Sequence, residues 1–86
     1  MEIGVEISLY PLRSDFVPAV HQFLDRVNAD RRLRVVTNSM STQVFGRFEE
    51  VMDALRDAMG ASFSGLVAGA ERAVFVLKVF GPLAGA

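Results

Sequence analysis

The stretch LRVVTNSMSTQVFGR, Leu33 to Arg47, decides the fold. Leu33-Arg34-Val35-Val36-Thr37 is rich in β-formers, and Thr42-Gln43-Val44-Phe45-Gly46-Arg47 follows as a second β-like run within a few residues. The two runs predict an antiparallel hairpin turning through Ser39-Met40-Ser41, with the turn type left open. Thr37 to Gln43 also concentrates side chains that donate or accept hydrogen bonds. Such a polar tip is either ordinary hairpin chemistry or one wall of a ligand site.

Upstream of the hairpin, Asn28-Ala29-Asp30-Arg31-Arg32 is a polar break. Before it, Phe16, Val20, Phe23, Leu24 and Val27 recur at helical spacing and leave His21, Gln22, Asp25 and Arg26 toward water, which predicts a helix from about Asp15 to Ala29. Ser14 or Asp15 can cap it, and Pro18 falls in the first turn, where its missing donor costs little. Further upstream, Glu2 to Tyr10 alternates, with Ile3, Val5, Ile7 and Leu9 on one side. A period of two marks a half-buried strand, and Pro11 is expected to close it.

Downstream, Phe48, Val51, Met52, Leu55 and Met59 form an apolar stripe with Glu49, Glu50, Asp53, Arg56 and Asp57 outside it. This predicts a second amphipathic helix ending between Met59 and Phe63. Ser64 to Ala70 reads as a loop and Ala73 to Phe80 as a largely buried strand, stopped by Gly81-Pro82. The last residues, Leu83 to Ala86, are expected to fray. The order strand, helix, strand, strand, helix, strand predicts an α+β, ferredoxin-like βαββαβ domain over 1–81, followed by a short tail, 82–86. Right-handed crossovers place both helices on one face of a four-stranded antiparallel sheet. The other face then carries Glu6, Ser8 and Tyr10 from the first strand and, on one parity of the last, Val74 and Val76. That is a poor solvent surface, so self-association is expected to bury it, with room for a ligand between paired sheets.

Composition narrows the function. A chain of 86 residues supports one two-layer core but no cleft between domains, which favours a module over a complete enzyme. Apolar residues make up 51% and charged residues 22%, so the chain is globular rather than disordered. The formal charge of -1, with both signs interspersed, provides no field to attract nucleic acid or anionic membrane. The absence of cysteine excludes disulfides, thiol nucleophiles and Cys-based zinc sites. No apolar stretch approaches a membrane span and Met1 to Glu6 does not read as a signal peptide, so a cytoplasmic protein without membrane insertion is expected.

Glu6-Ile7-Ser8-Leu9-Tyr10-Pro11-Leu12, Thr37 to Gly46, and Ala73-Val74-Phe75-Val76-Leu77-Lys78, in this order and spacing, resemble the YkoF-like family of thiamine and hydroxymethylpyrimidine binding proteins. The resemblance spans nearly the whole chain. It implies a ferredoxin-like domain with thiamine or its pyrimidine held at sheet-associated sites. Family members carry the domain duplicated or singly; with one copy and no internal repeat here, the resemblance implies a homodimer or homotetramer. The ligand-binding set read on this basis is Glu6, Ser8, Tyr10, Asn38, Ser39, Met40, Ser41, Thr42 and Gln43. Thiamine offers amine donors, ring-nitrogen acceptors and a permanent cation. A carboxylate such as Glu6 can bond the pyrimidine edge or balance the cation, and Tyr10 or Met40 can cover a ring.

Each of these residues also has a plainer reading. Asn38 to Ser41 can simply form the turn, Ser8 and Tyr10 can be ordinary strand residues, and Lys78 can pair with Glu6 across the strands. His21 lacks a second His or Cys nearby, so no metal, catalytic residue or cofactor is expected. Gln43 to Phe48 superficially resembles an RNA-binding strand but lacks the aromatic spacing and a basic stripe. An acylphosphatase-like enzyme would need a glycine loop beside Arg13, and none is present. The expectation is therefore a non-enzymatic carrier or sensor in vitamin uptake or salvage. An amino-acid-type regulatory binding domain and a purely oligomeric interaction module are its rivals.

Overall fold

A computed structural model describes residues 1–12, 16–38, 40–66 and 71–83, without the side chains of 16 and 17. The expected helix cap at Ser14 or Asp15, the candidate Ser39, Arg13, residues 67–70 of the loop and 84–86 of the tail lie outside the described residues. The elements run β1 (Glu2–Leu12), α1 (Phe16–Asn28), β2 (Arg34–Thr37), β3 (Thr42–Arg47), α2 (Phe48–Ser64) and β4 (Arg72–Phe80). All pairings are antiparallel in one sheet of order β2-β3-β1-β4, the expected ferredoxin-like arrangement.

The alternation in β1 sets the two faces. Ile3, Val5 and Ile7 are buried in one cluster with Val44 of β3, Phe23 and Val27 of α1, and Val51, Leu55 and Ala58 of α2. Both helices therefore lie on the same side of the sheet. Phe75 of β4 extends this core, its ring centroid 5.1 Å from Phe23 and 5.4 Å from Phe63. On the opposite face, register brings Glu6 beside Gln43 and Lys78, Ser8 beside Val76, and Tyr10 beside Val74. No helix of the described residues is long and apolar enough to cross a membrane.

Three boundaries differ from the sequence reading. β1 passes through Pro11 to Leu12 because beyond Ile7 it pairs only with β4, and a strand with one open side tolerates a residue lacking an amide hydrogen. α2 continues past Gly60 to Ser64. A mid-helix glycine costs only about 1 kcal/mol, and the extra turn seats Phe63 on Phe75 and buries Leu66. Leu83 is not frayed, since its N–H donates to the Glu2 carbonyl at 2.9 Å and its side chain is half-buried.

Fully buried Leu55 and exposed Met52 lie one turn apart on α2. Leu55→Ala is expected to cost about 2–5 kcal/mol in urea unfolding, and Met52→Ala under about 1 kcal/mol. Equal costs would mean that α2 faces the sheet differently.

Candidate functional site

The site arises from a mismatch in strand length. β1 pairs with β3 from Glu2 to Ile7 but with β4 from Gly4 to Leu12. At the Ile7–Thr42 pair the chain of β3 leaves the sheet and enters the hairpin loop. From Ser8 onward the β3-side edge of β1 has no strand beside it among the described residues. A cleft of ≈ 230 Å³ occupies the gap. The first wall is β1 itself, Ile7 to Tyr10; the second is α1, through Val20, Phe23 and Leu24; the third is the hairpin, through Thr37, Asn38, Met40 and Thr42.

Four consecutive strand residues line this one cleft. Alternate side chains of a strand point to opposite faces, so the cleft meets β1 along its edge. An edge presents backbone N–H donors and C=O acceptors in alternation, which are obligatory hydrogen-bonding groups. The cleft thus combines a polar backbone edge with apolar walls.

The hairpin tip is held by Asn38. Its side-chain oxygen accepts from the Met40 N–H at 2.8 Å and the Ser41 N–H at 2.9 Å, and its own N–H donates to the Ser41 carbonyl at 3.0 Å. The turn-forming reading of Asn38 is therefore correct for its oxygen. Met40 is 84% exposed, an apolar side chain standing over the cleft with no core to join. Thr42 is buried on the helix side, its hydroxyl 3.2 Å from that of Thr37.

The expected binding set divides in two. Ser8, Tyr10, Asn38, Met40 and Thr42 converge on the cleft. Glu6 and Gln43 do not line it; they sit side by side on the open face, one register step away. Ser41 contributes backbone to the turn and is not part of the wall, and Ser39 is outside the described residues. Lys78 approaches Glu6, Nζ to Oε1, at 3.8 Å. Sequence reasoning missed Val20, Phe23, Leu24 and Thr37, and took Ile7 and Leu9 of β1 for core alone. The first three belong to the apolar stripe of α1, which reads as core, and only the unequal lengths of the β1 and β3 runs signal that the stripe is uncovered at one end. Among the described residues no group of His, Cys, Asp and Glu is placed to hold a metal ion.

The family profile of the YKOF-related family matches residues 2–65, from β1 through α2. The chain belongs to that family. Every residue of the expected binding set falls within the matched segment. A protein of Streptococcus pneumoniae shares the fold at a TM-score of 0.84 and 15% identity, covering 98% of this chain and 90% of its own. A hypothetical protein of Methanocaldococcus jannascii does so at 0.79 and 22% identity, over 99% and 84%. A Thermotoga maritima protein, provisionally named for thiamine biosynthesis or salvage, superposes at 0.79 and 18% identity, over 95% and 85%. At these identities the likeness is one of fold. No curated protein matches the sequence.

The two ends of the Asn38 amide separate by substitution. Asn38→Ala is expected to lose about 1–2 kcal/mol in urea unfolding, because two backbone N–H groups lose their acceptor. Asn38→Asp keeps that acceptor and should stay within about 0.5 kcal/mol of the parent. Equal losses would mean that the NH₂ group, not the oxygen, holds the turn.

Proposed function

We propose that this YKOF-related protein binds thiamine or its hydroxymethylpyrimidine moiety in the hairpin-end cleft and does not transform it. The observation that carries the reading is the exposed edge of β1 beside the apolar wall of Val20, Phe23 and Leu24. An aminopyrimidine presents donors and acceptors along one edge and apolar faces above and below, which complements such a wall. Small-molecule pockets usually span roughly 300–1,000 Å³, so a cleft of ≈ 230 Å³ suits one ring rather than two. The thiazolium of thiamine would extend past Ser8 and Tyr10 onto the open face, toward Glu6. The Lys78–Glu6 pair is exposed, and surface pairs of this kind contribute only about 0–1 kcal/mol. It gives way readily to a cationic ligand.

Among the described residues the cleft wall carries one ionisable side chain, Tyr10, and no paired acid and base, which supports a role in binding alone. The open face exposes Tyr10, Leu12, Val36, Val74 and Val76, an apolar surface suited to a second copy of the chain. In this reading a homodimer or homotetramer covers the protruding half of the ligand, and the assembly serves as a cytoplasmic carrier or sensor in thiamine uptake or salvage. The name of the Thermotoga relative is in keeping with it.

Calorimetric titration with thiamine and, separately, hydroxymethylpyrimidine tests the proposal, with an amino-acid mixture as control. Both ligands should saturate at a fixed ratio per subunit. Val20→Phe, which adds a ring to the cleft wall, should remove both. Glu6→Gln should weaken thiamine by roughly ten- to a hundred-fold and spare the neutral pyrimidine, since only the cation loses charge attraction. Silence at millimolar ligand would overturn the reading.

A further inference from the structure

The opposite end of the sheet holds a wider, open cavity of ≈ 640 Å³. The α1–β2 loop, the start of β2, the end of β3 and the first turn of α2 meet there. Arg31, Arg32, Arg34 and Arg47 line it, against the carboxylates of Glu2 and Glu50. Four of the nine lysines and arginines thus gather at one place in a chain whose formal charge is -1. Overall composition does not account for that clustering.

The four arginines are not equivalent. Arg32 is tied to Asp30 by two side-chain hydrogen bonds of 2.9 and 2.6 Å and lies 3.9 Å from Glu50. Those bonds from Arg32 hold the Asp30 carboxyl below its ordinary value. A depressed carboxylate stays ionised above the usual range near about 3.9, and its contribution is lost only as pH falls through the lower folded-state value. Around neutrality Arg32 therefore remains occupied. Arg34 stacks over the Phe45 ring, its guanidinium carbon 4.2 Å from the centroid. The side chains of Arg31 and Arg47 make no hydrogen bond or ion pair among the described residues. Arg47 is also the N-cap residue of the 17-residue α2, and no side chain caps that end. The helix dipole adds positive potential there, which Glu49 and Glu50 in the first turn offset in part.

We propose that this cavity binds the phosphate group of a small phosphate ester. Arg31 and Arg47 are its ligands, and the Arg34–Phe45 stack is a platform for the ring the ester carries. Guanidinium forks match phosphate oxygens in charge and geometry, and a partnerless fork gives up no existing bond to bind. The cavity lies within the roughly 300–1,000 Å³ of small-molecule sites, with room for a nucleotide-sized molecule. β3 separates it from the hairpin-end cleft by about 16 Å, five steps of about 3.3 Å. The inference is thus independent of the thiamine reading.

Amide ¹H–¹⁵N spectra of the full chain, titrated separately with inorganic phosphate, adenosine monophosphate and thiamine, test the proposal. Phosphate and the nucleotide should shift residues 31–34 and 45–50, and the nucleotide should bind more tightly because its base can lie on the Phe45 platform. Arg31→Gln with Arg47→Gln should weaken both by at least about tenfold, as expected for losing charged hydrogen bonds, and leave the melting temperature and the thiamine response unchanged. Glu50→Gln should tighten phosphate binding by removing an opposing charge. Shifts that spread equally to Arg26, Arg72 and Lys78, or that survive the double substitution, would show a merely solvated basic surface and overturn the site. Tighter binding of a short single-stranded RNA, with shifts across Phe45 and Phe80, would overturn the small-ester assignment.

Discussion

The structure depends on the pairing of β1 with two neighbours of unequal length. At its centre Val5 is fully buried and stands between Val44 of β3 and Val79 of β4. Strict alternation from Ile3 to Leu9 then leaves no freedom in which face receives the helices, since a slip of one residue would put Glu6 in the core. The nine-residue ladder to β4 and the six-residue ladder to β3 end at different points along β1. The cleft is the remainder of that subtraction.

Much of this was legible in the sequence where periodicity carries the signal. The placement of Glu6, Ser8 and Tyr10 on the open face follows from counting by two; both parities of β4 are apolar, and it is the register with β1 that sets Val74 and Val76 on that face. The Lys78–Glu6 contact was legible as well, because a cation in an apolar strand requires a partner or an exit to water. Ends were harder to read. Pro11 resembles a terminator unless the reader knows that β3 has already left its side, and Gly60 resembles a helix end unless Phe63 is seen to reach Phe75. The same limit split the candidate site. Alternation assigns a side chain to a face, but Ser8 and Tyr10 meet Asn38 and Met40 around the end of a strand, while Glu6 and Gln43, equally polar, stay on the sheet surface.

The open face is not uniform. Near the start of β1, Phe80 and Phe45 close over Gly4, their rings meeting edge to face at 6.2 Å, and any Cβ at Gly4 would collide with the Phe80 ring. The missing side chain lets two aromatic rings settle onto the sheet, with Arg34 completing the row. Toward the end of β1 the face changes to Val74, Val76 and Tyr10, exposed and aliphatic apart from one phenol. One surface therefore offers a cationic, aromatic end and an apolar end. A facing sheet gains most from the apolar end, where fewer charges need to be desolvated.

The notch beside β1 also makes hairpin length a dial for evolution. Each pair of residues added to the β2 and β3 arms would extend the ladder along β1 and preserve the parity of every side chain, so the core formed by Val5, Val44 and Leu55 would not register the change. Only the vacant edge would shorten. Relatives with the same core can thus diverge from an open notch to a sealed sheet by small insertions in one loop, reshaping that end of the sheet without renegotiating how they fold.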